Sequence, residues 1–129
     1  MSAGEVQPPA GAPAIRVVAM PADTNPNGDM FGGWLVSMMD LAAGTIASQR
    51  CKGRSATIAI DSMIFHRPVT VGDVVSIYAE LLEVGRTSMK FDVTAWRQSR
   101  NGFENERVTH ATMTFVAIDD EGRPRPVDG

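Results

Sequence analysis

The sequence predicts an α+β fold in which one antiparallel sheet curls around a single buried helix. Three observations support this fold class: a proline-free segment with helical spacing and a single charge, four long strand-like segments after it, and turn-forming residues between strands. A chain of 129 residues can bury one core but is too short for two independent domains. We therefore expect a flexible segment at 1–13, one domain at 14–120 and a flexible tail at 121–129.

The chain begins its ordered part with a short strand and a loop. Residues 14–20 form a β-branched run that stops at Pro21, which predicts a first strand. Residues 21–30 combine prolines, Asn, Asp and a Gly, all of which favour turns. A loop therefore leads into the next element.

A helix is predicted from Phe31 to about Arg50, because apolar residues recur there at helical spacing. This stripe contains Phe31, Trp34, Leu35, Met38, Ala42, Thr45, Ile46 and Gln49. Asp40 lies on the opposite face among small residues, namely Gly33, Ser37, Ala43, Gly44 and Ala47. Asp40 is the only charge between Met30 and Gln49, so neither face resembles a solvated helix surface and the helix should be covered on all sides. A membrane span is rejected, because a central aspartate would cost about 2.5–3.5 kcal/mol.

Four strands follow the helix, at 55–67, 73–84, 87–98 and 107–118. The first of them alternates through Ile58, Ile60, Ser62 and Ile64 on one face. Two hairpin signals, Gly85 with Arg86 and Asn101 with Gly102, predict an antiparallel meander. One helix covers one face of such a sheet and leaves its edges open, so a homodimer is the expected minimum unit.

Composition and charge exclude several classes of function. A net charge of −3 with no run of Lys or Arg argues against a nucleic-acid partner. Cys51 is the only cysteine, which excludes an intrachain disulfide and suits a cytoplasmic location, and the first residues lack a secretion signal. His66 and His110 are isolated and lack a metal-ligand spacing, so no metal site is predicted. No G-x-S-x-G motif surrounds a serine, which argues against an α/β-type serine hydrolase.

Two stretches, PADTNPNGDMFGGWLVSMMD and SMIFHRPVTVGDVV, resemble the acyl-CoA thioesterases of the hotdog superfamily, most closely their bacterial YciA-like branch. The resemblance covers roughly residues 16–125, and FGGW followed six residues later by Asp40 is its sharpest part. It implies a hotdog fold and hydrolysis of acyl-CoA, with coenzyme A as part of the substrate and no separate cofactor. It also implies a catalytic carboxylate at Asp40 and an active site built across a dimer interface. Relatives form a trimer of dimers, and the sequence does not determine whether this chain assembles beyond the dimer.

Thioester hydrolysis needs an activated nucleophile and donors for the oxyanion. The backbone N–H groups of Gly32 and Gly33 lie at the helix start, where they have no intrahelical partner and the helix dipole favours negative charge. Asp40 lies about 10–12 Å further along the axis, too far to share one carbonyl with its own glycine pair. We therefore expect Asp40 of one subunit, as general base or nucleophile, to work with the partner's Gly32–Gly33 region. A salt-bridged or solvated helix carboxylate and a plain tight turn are the structural alternatives.

Other candidates complete the predicted site. Asn27 and Asp29 can be interpreted either as turn or N-cap residues or as catalytic groups. The resemblance places Asp29 at a position where tandem-domain relatives often have Asn. Because coenzyme A carries phosphates, basic residues at strand ends or turns are candidates for binding it: Arg54, Arg67, Arg86 and Lys90. The resemblance suggests that the pantetheine arm follows the strand at 55–62, where Thr57 and Ser62 could hold it. A thiol nucleophile at Cys51 is less favoured than a buried helix-end thiol.

Three other functions compete with hydrolysis. A hotdog hydratase or dehydratase needs a histidine on the helix segment, where this chain has none. A non-catalytic acyl-CoA sensor would keep the pocket without a carboxylate, and a purely structural subunit would neither bind nor turn over acyl-CoA.

Overall fold

The computed structural model describes residues 7–100, 102 and 105–129 and contains one long helix and five strands. The strands are β1 (Ile15–Val18), β2 (Ser55–Phe65), β3 (Val74–Val84), β4 (Ser88–Gln98) and β5 (Asn105–Ala117). The helix α1 (Gly32–Cys51) follows β1 and a short 3₁₀ turn at Pro21–Asp23. All strand pairs are antiparallel, and the described part of the chain has the predicted α+β arrangement of one sheet packed on one helix.

The strand order across the sheet is β1-β3-β4-β5-β2. Strands β3, β4 and β5 form the predicted meander, and a hydrogen bond from Gly85 N–H to the Ser88 carbonyl closes the first hairpin. Strand β2 lies outside this meander: it pairs with β5 and forms the far edge of the sheet. In the second hairpin signal Asn101 lies outside the described residues, as do residues 1–6 of the predicted flexible segment.

Strand β2 departs from the regular alternation that the sequence predicts. Its pairing with β5 shifts between Thr57 and Ala59 and again between Asp61 and Ile64. Ser62 lies within the second shift and has a positive φ of 52°. Each shift inserts one unpaired residue into β2. The side chains after it therefore point to the face opposite the one that regular alternation predicts. The four residues predicted on one face therefore do not share it.

One side of α1 packs on the sheet and the other is open in the single chain. The buried side contains Leu35, Met39, Ala42, Ala43, Ala47 and Cys51. The open side contains Ser37, Leu41, Thr45 and Gln49. The sequence predicts a helix covered on all sides, and the single chain covers only the side that its sheet reaches. Ala43 and Ala47, predicted on the face opposite the apolar stripe, are buried, since small side chains allow a helix to approach the sheet closely.

The C-terminal residues pack on the domain instead of extending from it. The Arg125 N–H donates to the Ala117 carbonyl at 2.9 Å, and the Val127 N–H donates to the Arg86 carbonyl at 2.9 Å. Val127 itself belongs to the buried core. Backbone hydrogen bonds and one apolar anchor therefore hold residues 121–129, which the sequence predicts to be a flexible tail.

Candidate active site

Asp40 lies in an open groove between α1 and the edge strand β2. The groove has a volume of about 630 Å³ and is lined by Asp40, Leu41, Gly44, Thr45, Ser48, Gln49, Ser55, Thr57 and Phe115. Asp40 is half-buried, while Leu41 and Thr45 leave the helix side of the groove exposed. The groove therefore has a polar centre and one open wall.

Thr57 holds the Asp40 carboxylate. Its hydroxyl donates a hydrogen bond of 2.5 Å to Asp40 Oδ1. Thr57 is the last residue that pairs with β5 before the first shift in β2. This pairing points its side chain toward the helix. The other carboxylate oxygen has no hydrogen-bond partner, and no basic side chain forms an ion pair with Asp40, among the described residues. The salt-bridged alternative is therefore not realised in the single chain, and Oδ2 can accept a proton or attack a carbonyl.

Small residues keep the groove open next to this carboxylate. At Gly44, one turn after Asp40, a Cβ atom would lie 3.3 Å from Cε2 of Phe115, so glycine allows the Phe115 ring to approach the helix closely. Ser48 and Ser55 face each other across the groove with their hydroxyl oxygens 2.9 Å apart. An extended chain with an apolar part and amide groups suits such a lining.

The start of α1 provides unused donors. Gly32 and Gly33 occupy the first two helical positions, and their N–H groups donate to no described backbone carbonyl. A Cβ atom at Gly33 would meet nothing within 4 Å, so this end of the helix is open to a ligand. At Gly32 a Cβ atom would lie 3.4 Å from Cζ of Phe65. These donors lie on the same helix as Asp40 but about two turns away from it.

The loop before α1 is organised by Asn25, which the sequence analysis did not single out. Asn25 Oδ1 accepts hydrogen bonds from the backbone N–H groups of Asn27 at 2.9 Å and Asp29 at 3.1 Å. The Asn25 N–H donates to the Asp29 carbonyl at 2.6 Å. Its side-chain NH₂ has no acceptor among the described residues and is free to donate to a ligand. The sequence signal that could have identified it is the run Asn-Pro-Asn-Gly-Asp, in which the first Asn can accept from N–H groups further along the turn.

Asn27 and Asp29 therefore contribute backbone groups to this turn. Asn27 is exposed, and Asp29 forms an isolated bridge with Thr70. Neither residue caps the helix, because Phe31 occupies the N-cap position, and no side-chain capping hydrogen bond forms at that position.

The basic candidates for coenzyme A binding are divided between paired and free groups. Arg54 donates to the carbonyls of Asp119 and Asp120 at 3.3 and 3.1 Å. Arg67 forms an ion pair with Glu106 at 2.9 Å, and Lys90 lies 4.0 Å from Glu83. Arg86 is exposed and its side chain has no partner among the described residues. None of these four cations lines the groove around Asp40, and neither does Ser62.

Cys51 and the two histidines lie outside the groove. The Cys51 thiol is buried at the helix end, where it lies 3.6 Å from the Gly53 carbonyl oxygen and 3.6 Å from an Arg125 nitrogen. His66 and His110 form a hydrogen bond with each other at 2.8 Å. Within the described residues no group of three or more His, Cys, Asp or Glu side chains could hold a metal ion. No helix in the described part of the chain is long and apolar enough to cross a membrane.

The chain is similar to known proteins over most of its length. Residues 27–103 match the model of the family described as "Thioesterase superfamily". The chain is 54% identical to an uncharacterized acyl-CoA thioester hydrolase of Zymomonas mobilis over 90% of this chain and 78% of that protein. It is 42% identical to the acyl-CoA thioester hydrolase YciA of Salmonella typhimurium over 92% of both. Among solved structures, a hexameric thioesterase from Yersinia pestis matches with a TM-score of 0.88 and 43% identity, over 94% of this chain and 98% of that one.

Proposed function

The chain belongs to the thioesterase superfamily, and we propose that it hydrolyses acyl-CoA to the free acid and coenzyme A. The predicted hotdog fold and the similarity to the YciA group are confirmed. The observation that carries the proposal is the Asp40 carboxylate, which Thr57 holds at one oxygen and which has no basic partner among the described residues. A carboxylate of this kind at the centre of a groove is suited to activating water or attacking a thioester.

Asp40 is proposed to act as a general base or as a nucleophile. As a base, its free oxygen takes a proton from a water molecule that attacks the thioester carbonyl; the C–S bond then breaks, and the coenzyme A thiolate leaves and takes up that proton. As a nucleophile, the same oxygen attacks the carbonyl and displaces the coenzyme A thiolate, which leaves an acyl-enzyme anhydride that water then hydrolyses. In both routes the Thr57 hydroxyl keeps Oδ1 occupied and directs Oδ2 toward the substrate.

Stabilisation of the oxyanion is assigned to the partner subunit. The N–H groups of Gly32 and Gly33 and the free NH₂ of Asn25 lie at the start of α1 or in the loop that leads into it, and none has a described acceptor. Donors fixed before the reaction stabilise developing negative charge without reorganisation. Because Asp40 is about two turns away on the same helix, the carbonyl that it activates must meet these donors from a second copy.

A homodimer is therefore the proposed minimum unit. Four large apolar residues of β2 are exposed in the single chain, namely Ile58, Ile60, Ile64 and Phe65. Strand β2 is also an edge strand, with one row of backbone groups unpaired by the sheet. A second copy that covers β2 would bury these side chains and close the open wall of the groove. The Yersinia relative is a hexamer, which a trimer of such dimers would produce.

The remaining features of the proposed enzyme follow from the same site. Coenzyme A enters as part of the substrate, and none of the proposed steps needs a metal or another cofactor. A cytoplasmic location is proposed from the single free thiol and the acyl-CoA substrate. The hydratase alternative is disfavoured, because His66 and His110 bond to each other and line no part of the groove around Asp40.

Release of free thiol from acyl-CoA tests this function, with Asp40→Asn as the variant and Asp92→Asn as the matched control. Asp92 is half-buried like Asp40, but it lies on β4, outside both the groove and the proposed interface on β2. We expect Asp40→Asn to lower kcat by at least about 10²-fold, the usual contribution of a general base, and the control to keep the wild-type rate. Unchanged turnover in Asp40→Asn would remove the mechanism, and no turnover by the wild-type protein would remove the function.

A further inference from the structure

The groove at Asp40 runs along α1 between two rows of side chains. Asp40, Gly44 and Ser48 follow one another at intervals of four residues, so they lie in one row along the helix. Opposite this row, β2 contributes Ser55 and Thr57, which share a face because side chains alternate along a strand. The groove therefore extends along the helix axis from Asp40 to Ser48, over about 12 Å.

The floor of the groove is the ring of Phe115. Phe115 is 2% exposed, and its ring packs edge-to-face on Phe91 with centroids 5.8 Å apart, so the floor is held from behind. The backbone of Gly44 lies close to this ring, because a Cβ atom there would lie 3.3 Å from Phe115 Cε2. An apolar chain that leaves Asp40 along the groove therefore passes over an aromatic surface at its midpoint.

The far end of the groove is closed and polar. The helix ends at Cys51 and β2 begins at Ser55, so the turn at 52–54 joins the two walls. Arg125 of the C-terminal segment packs on this turn and donates to the Cys51 carbonyl at 3.0 Å. In front of the turn, Ser48 and Ser55 face each other across the groove with their hydroxyl oxygens 2.9 Å apart. These two residues are called the serine pair.

The serine pair keeps a free hydrogen-bond donor. One hydroxyl donates to the other, so the proton of the accepting hydroxyl has no acceptor in the part of the chain that the structure describes. Gln49 lines the groove beside the pair, and its side-chain amide has no partner among the described residues either. A ligand group at this end therefore meets a free hydroxyl and an amide, which suit an oxygen atom better than a methyl group.

A closed end suits the part of the substrate that itself ends. The acyl group of an acyl-CoA ends at its last carbon, whereas the coenzyme A part continues from the sulfur to a bulky nucleotide. With a second copy over the open wall, the coenzyme A part must leave the site in the direction away from the serine pair. This geometry favours the acyl group as the occupant of the groove, whereas the resemblance suggests the pantetheine arm for the strand at 55–62.

We propose that the serine pair selects the acyl group that the enzyme hydrolyses. A short chain that ends over Phe115 is accepted, and so is a longer chain whose end carries a hydroxyl group that pairs with the free donor. A longer chain with a methyl end is disfavoured, because it removes water from the serine pair without replacing the hydrogen bonds. This inference rests on the proposed thioesterase function, and it makes Ser48 and Ser55 specificity-determining residues that take no part in bond breaking.

The test compares kcat/KM for butanoyl-CoA, for octanoyl-CoA, whose chain can reach the serine pair, and for octanoyl-CoA with a hydroxyl group on its last carbon. In the wild type, butanoyl-CoA and the hydroxylated substrate should each exceed octanoyl-CoA by about tenfold. With Ser48→Ala and Ser55→Ala combined, both ratios should fall toward one. Because each ratio is taken within one protein, a loss of folded enzyme cancels from it.

Ser88→Ala is the matched control for the serine variant. Ser88 is half-buried like Ser48 and Ser55, but it lies at the start of β4 and outside the groove, so both ratios should stay at wild type. A wild type without either preference, or a combined serine variant that keeps both, would overturn the inference.

Gly44→Ala tests which part of the substrate lies over Phe115. The added methyl group narrows the middle of the groove, where its Cβ would lie 3.3 Å from the ring. The value of kcat/KM should therefore fall more for the two eight-carbon chains than for butanoyl-CoA, whose chain ends there. All three substrates carry the same pantetheine arm, so an equal fall would place that arm in the groove and overturn the inference, as would no fall at all. If the wild type releases no thiol from any of the three, the proposed function itself fails.

Discussion

Strands β2 and β4 have the same length of eleven residues and opposite environments. Strand β4 lies in the middle of the sheet, and six of its residues are buried: Met89, Phe91, Val93, Thr94, Ala95 and Trp96. Strand β2 lies at the edge, has two shifts in its pairing, and buries none of its residues in the single chain. Both strands are rich in apolar residues, so their burial depends on their place in the sheet. The difference indicates that β4 stabilises the domain, whereas the exposed residues of β2 can line the proposed active site and contact a second copy of the chain.

The largest effect is expected at the centre of β4. Phe91 is fully buried and packs edge-to-face on Phe115, with ring centroids 5.8 Å apart. Phe91→Ala should lower the free energy of unfolding by about 3–5 kcal/mol, through lost apolar transfer and the cavity left behind. Urea unfolding followed by circular dichroism measures this loss. A change below about 1 kcal/mol would show that β4 is not the stabilising strand that its burial implies.

The next effect concerns association through β2. Ile58 is 59% exposed in the single chain. If a second copy covers it, Ile58→Asp should raise the dimer dissociation constant by at least about tenfold, because a charge in a dry interface loses its water. Analytical ultracentrifugation over a dilution series measures the constant. An equally exposed position away from β2, Leu82 at 56%, offers the control variant Leu82→Asp. Equal dissociation of both variants, or of neither, would contradict an interface on β2.

A smaller effect is expected for the hydroxyl that holds the proposed catalytic carboxylate. Thr57→Val keeps the shape of the side chain and removes the hydrogen bond to Asp40 Oδ1. Hydrogen bonds to charged groups contribute about 1.5–3 kcal/mol, so kcat should fall by at least about tenfold. Thr57→Ser should recover most of the rate, because it restores the donor. Loss of rate in both variants would indicate that the methyl group matters and not the hydrogen bond.

The smallest effect should appear where β5 meets β2. Thr109 is fully buried and pairs with Phe65 of β2. In the described part of the chain, its hydroxyl is the one buried side-chain oxygen or nitrogen that has no hydrogen-bond partner. Thr109→Val should therefore raise the free energy of unfolding by about 1 kcal/mol, since it removes an unsatisfied polar group. Thermal unfolding measures the gain. A loss of stability would show that the hydroxyl finds a partner, for example in the assembled oligomer.

The sequence predicted the elements more accurately than their arrangement. Helical spacing placed α1 within one residue at each end, and β-branched runs, apolar alternation and turn signals placed the five strands, because all of these signals are local. The edge position of β2 could not be predicted in this way, since strand order depends on contacts distant in sequence. The two shifts in β2 and the positive φ of Ser62 have no periodic signal at all.

For the candidate site too, the sequence predicted individual residues better than the contacts between them. Asp40 and Thr57 were both singled out from the sequence, but the hydrogen bond between them was not, because Thr57 was assigned to the pantetheine arm. Asn25 was missed because its neighbours Asn27 and Asp29 have the same turn-forming chemistry, and only the hydrogen bonds show which side chain accepts. The packing of residues 121–129 was missed because a polar, proline-rich sequence gives no sign of the single anchor at Val127.

The shared active site is the central claim, and mixing inactive subunits tests it most directly. Asp40→Asn lacks the carboxylate and Asn25→Ala lacks the free amide donor, and each variant alone should be nearly inactive. If the two groups of one site come from different subunits, co-refolding equal amounts should restore about a quarter of the wild-type kcat, because half of the dimers are mixed and each has one intact site. No recovery above the activity of the separate variants would contradict a site shared between subunits and would place both groups in one chain.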